Sequence, residues 1–154
     1  MTETNQTKEK IDLVKAYQLF TEGKTIAQAL NAPKETLDAL YSVAVGDYEA
    51  KRYDDAVVGL QNLIGLDQNN PSYWALIGNT LRALGKYQEA LYAWNICMSL
   101  DPKFATAMTI ARVGIALKDK TWAVEGLMMA LAHVGDNPHH LTDYQELFNQ
   151  YEKL

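Results

Sequence analysis

The pattern of apolar and polar positions in residues 37–70 returns in the segment that follows directly, residues 71–104. Leu40 recurs as Trp74, and Tyr53 recurs as Tyr87. Within each copy the apolar positions have the three- and four-residue spacing of helices that bury one face. No segment shows the strict alternation of a half-buried strand between turn signals. The pattern therefore predicts an all-α chain that is built from repeated helix pairs.

The second copy carries the most complete set of motif residues. Small residues, Gly78 and Ala90, allow two antiparallel helices to cross closely, and large apolar residues fill the space around the crossing. Those large residues are Trp74, Ile77, Leu81 and Trp94, with Tyr87, Cys97 and Pro102 completing the motif. This set, at a period of 34, resembles the tetratricopeptide repeat. The resemblance implies a superhelix that binds proteins rather than catalyses a reaction.

A third, degraded copy follows Pro102. Ala123, Leu127 and Ala130 reproduce the small and large positions of the second copy at a period that is shorter by one, so one residue is lost. We place that loss near the turn at residues 118–121. The predicted organisation is a flexible N-terminus (1–9) and a single tetratricopeptide-repeat domain (10–154). That domain comprises pre-repeat helices (10–36), three repeats (about 37–70, 71–104 and 105–137) and a capping helix (138–154).

Helix starts are marked by a capping residue before a proline, a position where the missing N–H costs nothing. Asn70-Pro71, Asp101-Pro102 and Asn137-Pro138 have this pattern. Thr25 and Gln28 form a predicted capping box, and Gly85 is predicted to end a helix. These signals place the boundaries of most of the predicted helices.

Apolar stripes flank the repeats, and the ends of a repeat stack need covering because they otherwise expose apolar surface. The N-terminal stripe fits either a cap or a dimer interface, and it consists of Ile11, Val14, Tyr17 and Phe20. The C-terminal stripe is expected to cap the third repeat, and it consists of Leu141, Tyr144, Leu147, Phe148, Tyr151 and Leu154.

The first helix of each repeat is expected to line a concave groove. The predicted groove residues are Tyr41, Val45 and Tyr48 in repeat one and Ala75, Asn79 and Arg82 in repeat two. In repeat three they are Thr109, Val113 and Ala116 or, one position earlier, Met108, Arg112 and Ile115. This mixture of aromatic and polar side chains suits an extended peptide with spaced apolar anchors. The alternative is that Tyr41 and Tyr48 only pack against the preceding helix.

Composition excludes several classes of function. The 154 residues include 14 basic and 19 acidic ones, a net charge of −5, so nucleic acid is not an expected partner. No apolar run is long enough for membrane insertion, and the single cysteine suits the cytoplasm. No nucleotide-binding motif is present, so neither a cofactor nor an enzymatic activity is expected. We interpret His133, Asp136, His139 and His140 as a solvated loop rather than a metal site.

A narrower resemblance lies in residues 20–132. Gly23-Lys24-Thr25-Ile26, residues 36–44, Lys51-Arg52-Tyr53 and Leu66-Asp67 resemble the class II chaperones of bacterial type III secretion. The resemblance implies a small acidic cytoplasmic protein, commonly a homodimer through its N-terminal region. It also implies a groove that holds an extended segment of a hydrophobic, membrane-inserting translocator and keeps that translocator soluble.

The resemblance also indicates specific residues. Tyr41, Tyr48 and Tyr53 occupy positions that are implicated in cargo binding within that family. The chain departs from the family pattern at Val45, where an aromatic residue is common, and at Lys51, where a turn glycine is usual. The alternative function is a tetratricopeptide adaptor that is unrelated to secretion, and the genes beside this one would distinguish the two.

Overall fold

A computed structural model describes residues 21–154, which contain eight α-helices. In chain order α1 to α8 are Ile26–Ala29, Lys34–Glu49, Tyr53–Leu66, Pro71–Ala83, Tyr87–Leu100, Phe104–Ala116, Lys120–Ala132 and Pro138–Tyr151. The predicted flexible segment (1–9) and the predicted dimer contacts lie outside the described residues; those contacts are Ile11, Val14, Tyr17 and Phe20.

Three helix pairs form the body of the protein: α2 with α3, α4 with α5, and α6 with α7. Each pair also packs against the next, α3 on α4 and α5 on α6. This arrangement confirms the predicted all-α class and its repeated helix pairs. Helix α2 begins at Lys34, so residues 34–36 form its first turn rather than part of a pre-repeat segment.

Most of the predicted helix ends are confirmed by their hydrogen bonds. The Thr25 hydroxyl accepts from the Gln28 N–H at 3.2 Å, and the Gln28 side chain accepts from the Thr25 N–H at 2.9 Å. Asn70 caps α4 and Asn137 caps α8, each through a 3.0 Å bond from the N–H two positions later. Gly85 follows the end of α4 with a φ of +75°, a conformation that glycine adopts without strain.

The predicted helix start at Asp101-Pro102 is wrong. Asp101 is the C-cap of α5, where its N–H donates to the Cys97 carbonyl at 2.8 Å, and α6 begins only at Phe104. Its carboxylate lies 2.6 Å from the Lys103 ammonium instead of accepting a bond from the first turn of α6. Asp101 therefore ends one helix and does not start the next.

The predicted position of the lost residue is also wrong. The first helices of the second and third pairs, α4 and α6, start at positions 71 and 104, and the second helices, α5 and α7, start at 87 and 120. Each of these starts is separated from its counterpart by 33 residues, whereas the starts of α3 and α5, at 53 and 87, are 34 residues apart. The missing position therefore lies between α5 and α6. The turn at residues 101–103 is shorter by one than its counterpart at 67–70, whereas the turn at residues 117–119 has the standard length.

The core lies at the crossings within and between the helix pairs. A Cβ on Gly78 would lie 2.5 Å from the Trp94 indole nitrogen, so only glycine lets α5 approach α4 there. In the third pair a Cβ on Gly126 would overlap the backbone nitrogen of Ala111. Cys97 is buried without a disulfide partner, as its position in the repeat predicts.

Helix α8 covers the third repeat, as predicted, with most of its apolar stripe. Leu147 is buried, and Tyr144, Phe148 and Tyr151 pack against the same core cluster as α6 and α7. Leu141 is 52% exposed, however, so this member of the stripe does not share in the cap. His140 occupies that place instead, with its ring stacked 4.0 Å from the Phe104 ring.

Candidate functional site

The first helices of the repeats are neighbours, α2 of α4 and α4 of α6, and we call the face that they present the groove surface. At one end the Tyr41 ring of α2 lies 5.3 Å from the Tyr73 ring of α4. Further along, α4 and α6 form the walls of a shared cavity. This is the surface that the sequence predicts as a binding groove.

The predicted groove residues of repeat one are half-buried aromatic and aliphatic side chains. Tyr41, Val45 and Tyr48 pack against the core that α2 to α5 share. Burial raises the pKa of Tyr41 above its ordinary value of 10.0. The Tyr48 ring lies 5.7 Å from the Tyr53 ring of α3. Tyr41 thus pairs with the following repeat and Tyr48 with its own repeat.

The middle of the groove surface contains a cavity of about 160 Å³ between α4 and α6. Ala75 and Asn79 line it from α4, as the sequence predicts for the groove, and Thr106 and Thr109 line it from α6. The Asn79 amide makes no hydrogen bond with any other described residue. An amide and a threonine hydroxyl around a small cavity can exchange hydrogen bonds with the backbone of an extended peptide.

Trp94 and Ala105 complete this cavity, and sequence reasoning did not assign either to the groove. Trp94 belongs to α5, the second helix of its pair, and it reaches the cavity because Gly78 leaves room for its indole ring. The Arg82 guanidinium lies 5.5 Å from the centre of that ring. Arg82, a predicted groove residue, therefore also rests on Trp94 by a cation–π contact.

Both predicted registers of repeat three contain residues that line cavities of the groove surface. Thr109 lines the central cavity, whereas Arg112, Val113 and Ala116 line a second one. Met108 is 1% exposed and belongs to the core. The helix starts make Met108 and Arg112 the repeat equivalents of Ala75 and Asn79. Neither predicted register therefore describes the whole of repeat three.

A larger and more polar cavity of about 630 Å³ lies at the junction of α1, α2 and the α3–α4 turn. Asp38, Asp67 and Tyr73 line it, and the Lys34 ammonium lies 2.5 Å from the Asp38 carboxylate. Burial, followed by the Asp67 charge, raises the pKa of Tyr73. The groove surface therefore begins beside a polar cavity whose charged groups are partly paired.

Two of the histidines near the end of the third repeat form hydrogen bonds with nearby backbone carbonyls. The His133 Nδ1 lies 2.8 Å from the Met129 carbonyl, and the His140 Nδ1 lies 2.9 Å from the Val134 carbonyl. Over residues 21–154 no three His, Cys, Asp or Glu side chains are grouped as a metal would require. In the same range no helix has the length and apolar character needed to cross a membrane.

Comparisons with known proteins point to a single family. No protein-family model matches the chain. Over 148 residues it is 29% identical to the low calcium response locus protein H of Yersinia pseudotuberculosis, with 90% of this chain and 83% of that protein covered. The corresponding protein of Yersinia pestis is 28% identical over the same length.

Solved structures show the same fold. The type III secretion translocator chaperone SycD of Yersinia enterocolitica superposes with a TM-score of 0.69 and 23% identity, with 86% of this chain and 99% of SycD covered. PcrH in complex with the chaperone-binding region of PopD gives a TM-score of 0.65 and 25% identity, with 79% of this chain and 92% of PcrH covered. The chain is therefore similar in sequence and in fold to the class II translocator chaperones of type III secretion systems.

Proposed function

We propose that this protein is a cytoplasmic chaperone that holds an extended segment of a type III secretion translocator on its groove surface. The observation that carries the proposal is the central cavity, which combines an unbonded amide, threonine side chains and an indole in one shallow site. SycD has been solved with a peptide of the translocator YopD, and PcrH with the chaperone-binding regions of PopD and of PopB. A segment of the same kind fits a groove of this size and polarity.

The proposed contact residues divide by chemistry. Tyr41, Val45, Tyr48 and Tyr53 supply partly exposed apolar surface for the anchors of the cargo. In the centre, Asn79 is placed to bond the cargo backbone, and Ala75 keeps the cavity open. Arg82 contributes a positive charge that the Trp94 ring holds in place. Buried aromatic anchors of this kind supply most of the affinity at protein interfaces.

Covering an apolar segment has a direct physical benefit for a translocator. A protein that inserts into a membrane after secretion exposes apolar surface beforehand, and such surface aggregates in water. A chaperone that binds the segment in extended form avoids the cost of unfolding a compact partner. Because the family consists of non-enzymatic chaperones, binding alone accounts for this protection.

We further propose that the protein forms a homodimer. SycD has been solved in an alternative dimer form, so dimers occur in this family. The apolar stripe at Ile11, Val14, Tyr17 and Phe20 supplies a candidate contact. Light scattering of the purified protein is expected to give twice the monomer mass of 17.3 kDa.

Co-expression with candidate type III secretion translocators tests the function. The wild type is expected to yield a soluble complex, and the double variant Tyr41→Ala/Tyr48→Ala is expected to lose it. Tyr92→Ala is the matched control, because Tyr92 is 61% exposed and contacts Trp122 of α7 rather than the groove surface. Circular dichroism checks that each variant is folded. A wild type that retains no translocator would overturn the proposal.

A further inference from the structure

A second cavity lies beside the central one, and the proposed contacts do not use it, although its lining includes Arg112, Val113 and Ala116 from the predicted groove positions of repeat three. It measures about 280 Å³, and Tyr87, Arg112, Val113, Ala116 and Leu117 line it. We call it the apolar pocket, since four of its five residues present carbon surface. Its size suits one leucine, methionine or phenylalanine side chain.

The apolar pocket has a basic rim in an otherwise acidic protein. Arg112 forms no ion pair and no side-chain hydrogen bond with the residues of the described chain. Lys86 precedes Tyr87 and Lys118 follows Leu117, so two more basic residues flank the lining. The acids nearest to the lining in the sequence are Glu89 and Asp119, each two positions from a lining residue. The Asp119 carboxylate accepts the N–H groups of Thr121 and Trp122 as the cap of α7. The rim thus presents positive charge beside an apolar cavity.

The position of the apolar pocket relates it to the central cavity. Residues 105, 106 and 109 of α6 line the central cavity, and residues 112, 113, 116 and 117 line the apolar pocket. At a rise of about 1.5 Å per helical residue, the midpoints of these two sets are about 12 Å apart. An extended peptide advances about 3.3 Å per residue, so it covers that distance in about three to four residues.

We propose that the apolar pocket is a second anchor site for the same cargo segment, and that it takes an apolar side chain with an Asp or Glu next to it. This inference rests on the proposed function. The apolar side chain fills the cavity, and the adjacent carboxylate pairs with the unpaired Arg112. The part of the cargo segment that binds in the central cavity lies about three to four residues away.

Peptide binding provides the test, with overlapping synthetic peptides of the candidate translocators as probes. The bound peptide is expected to contain apolar residues at the stated spacing with an acid beside one of them. Ala116→Phe fills the apolar pocket and is expected to weaken this peptide at least tenfold. Ala83→Phe is the control, since Ala83 is the equivalent of Ala116 in the second repeat, is exposed and lines neither cavity. Equal affinity of Ala116→Phe and wild type would overturn the inference.

The ion pair between Arg112 and the cargo carboxylate is tested separately, because filling the cavity with Ala116→Phe does not test that pairing. Arg112→Gln is expected to weaken the peptide about threefold, as for an exposed ion pair, and to reduce the salt dependence of binding. It is expected to have no effect on a peptide whose acid is replaced by the amide. Lys153→Gln, in the chain after α8, is the control. An Arg112→Gln loss that is the same for both peptides would overturn the pairing.

The two proposals fail in different ways. If no translocator peptide binds the wild type, the proposed function fails, and this inference fails with it. If a peptide binds the wild type and loses affinity with Tyr41→Ala/Tyr48→Ala but not with Ala116→Phe, the proposed function stands and the second anchor site is excluded.

Discussion

Val43 in the first repeat and Ile110 in the third occupy the same position of the repeat, yet Val43 is 64% exposed and Ile110 is fully buried. Ile77, their counterpart in the second repeat, is 6% exposed. The difference arises from the preceding helix. Helix α3 covers α4 and α5 covers α6, whereas among the described residues only the short α1 precedes α2. An apolar repeat position therefore becomes core only where the previous repeat covers it.

The helix crossings within these two repeats differ as well. A Cβ on Gly59 of the first repeat would lie 3.5 Å from the Ala44 Cβ, an ordinary contact. The same position in the third repeat is Gly126, where a Cβ would overlap the backbone nitrogen of Ala111. Helices α6 and α7 are therefore packed more closely than α2 and α3. The third repeat departs most from the repeat motif, yet it is the more tightly packed of the two.

Truncating the shared apolar position is expected to give the largest contrast. Ile110→Ala should lower the free energy of unfolding by about 2–5 kcal/mol, because it leaves a cavity in a site with no exposed surface. Val43→Ala should cost about 0.5 kcal/mol or less, since that side chain is largely exposed. Urea unfolding followed by circular dichroism measures both.

The stability of Val43→Ala also tests whether the face of α2 that carries Val43 is exposed in the full-length chain. Leu40, on the same face, is 45% exposed, and its counterpart Ala107 is fully buried. A cost for Val43→Ala that approaches that of Ile110→Ala would contradict the comparison. It would mean that residues 1–20 or a second copy of the chain cover this face in solution.

Adding one methyl group at the two crossings is expected to give the next largest contrast. Gly126→Ala should destabilise the protein by about 1–3 kcal/mol, because its Cβ meets backbone that cannot rotate away. Gly59→Ala has room and should be neutral or stabilising by up to about 1 kcal/mol, since alanine favours the helix more than glycine does. Thermal unfolding of the two variants measures the difference. Equal melting temperatures would show that the two crossings are equally open.

The starts of α4 and α6 extend the comparison to the second repeat. Asn70 caps α4 through its side chain, so Asn70→Ala should cost about 1 kcal/mol. Lys103 is the N-cap of α6 without a side-chain bond to it, and its ion pair with Asp101 is exposed, so Lys103→Ala should change stability much less than Asn70→Ala does. Urea midpoints distinguish these values, and a Lys103→Ala cost equal to that of Asn70→Ala would assign a capping role to Lys103.

The caps also show which parts of the fold the sequence predicts. Asn70 and Asn137 act through bonds two positions away, so their neighbours are sufficient to identify them. Asp101 has the same local pattern, but it is the repeat equivalent of Asp67, and both are C-caps with a φ near −145°. Alignment of the repeats correctly predicts Asp101 as a C-cap, whereas the local Asp-Pro motif wrongly predicts it as an N-cap. Pro102 lies in the turn before α6, and the repeat equivalent of Pro71 is Phe104.

The groove was predictable only in part, for a different reason. Ala75 and Asn79 follow from helical spacing along a single helix, and the structure places both at the central cavity. Trp94 comes from a second helix and depends on the space that Gly78 leaves, which is a property of two elements together. Periodicity reports which face a residue is on, but it does not report how far a side chain reaches across a crossing. The apolar pocket was predicted in part for the same reason: Arg112, Val113 and Ala116 of α6 follow from helical spacing, whereas Tyr87 belongs to α5 and Leu117 to the turn after α6.

The smallest expected effect concerns Cys97, whose equivalent in the third repeat is Ala130. Burial, followed by the nearby Asp101 charge, raises the pKa of the Cys97 thiol above its ordinary value of 9.0. The folded protein therefore keeps this proton at a pH where the unfolded chain has released it. Stability is unaffected below about pH 8 and falls as the pH rises above the ordinary value, because ionisation favours the unfolded state.

Replacing the thiol by the third repeat's own residue isolates this contribution. Cys97→Ala should lose some stability at every pH, since the side chain becomes smaller, but its stability should decline less than that of the wild type between about pH 8 and pH 10. Tyr41 and Tyr73 also have raised pKa values, and both variants keep them, so their contribution cancels in the difference. Urea unfolding at several pH values measures the two slopes. Parallel slopes would show that the Cys97 thiol ionises as readily in the folded protein as in the unfolded chain, which a buried thiol beside a carboxylate should not do.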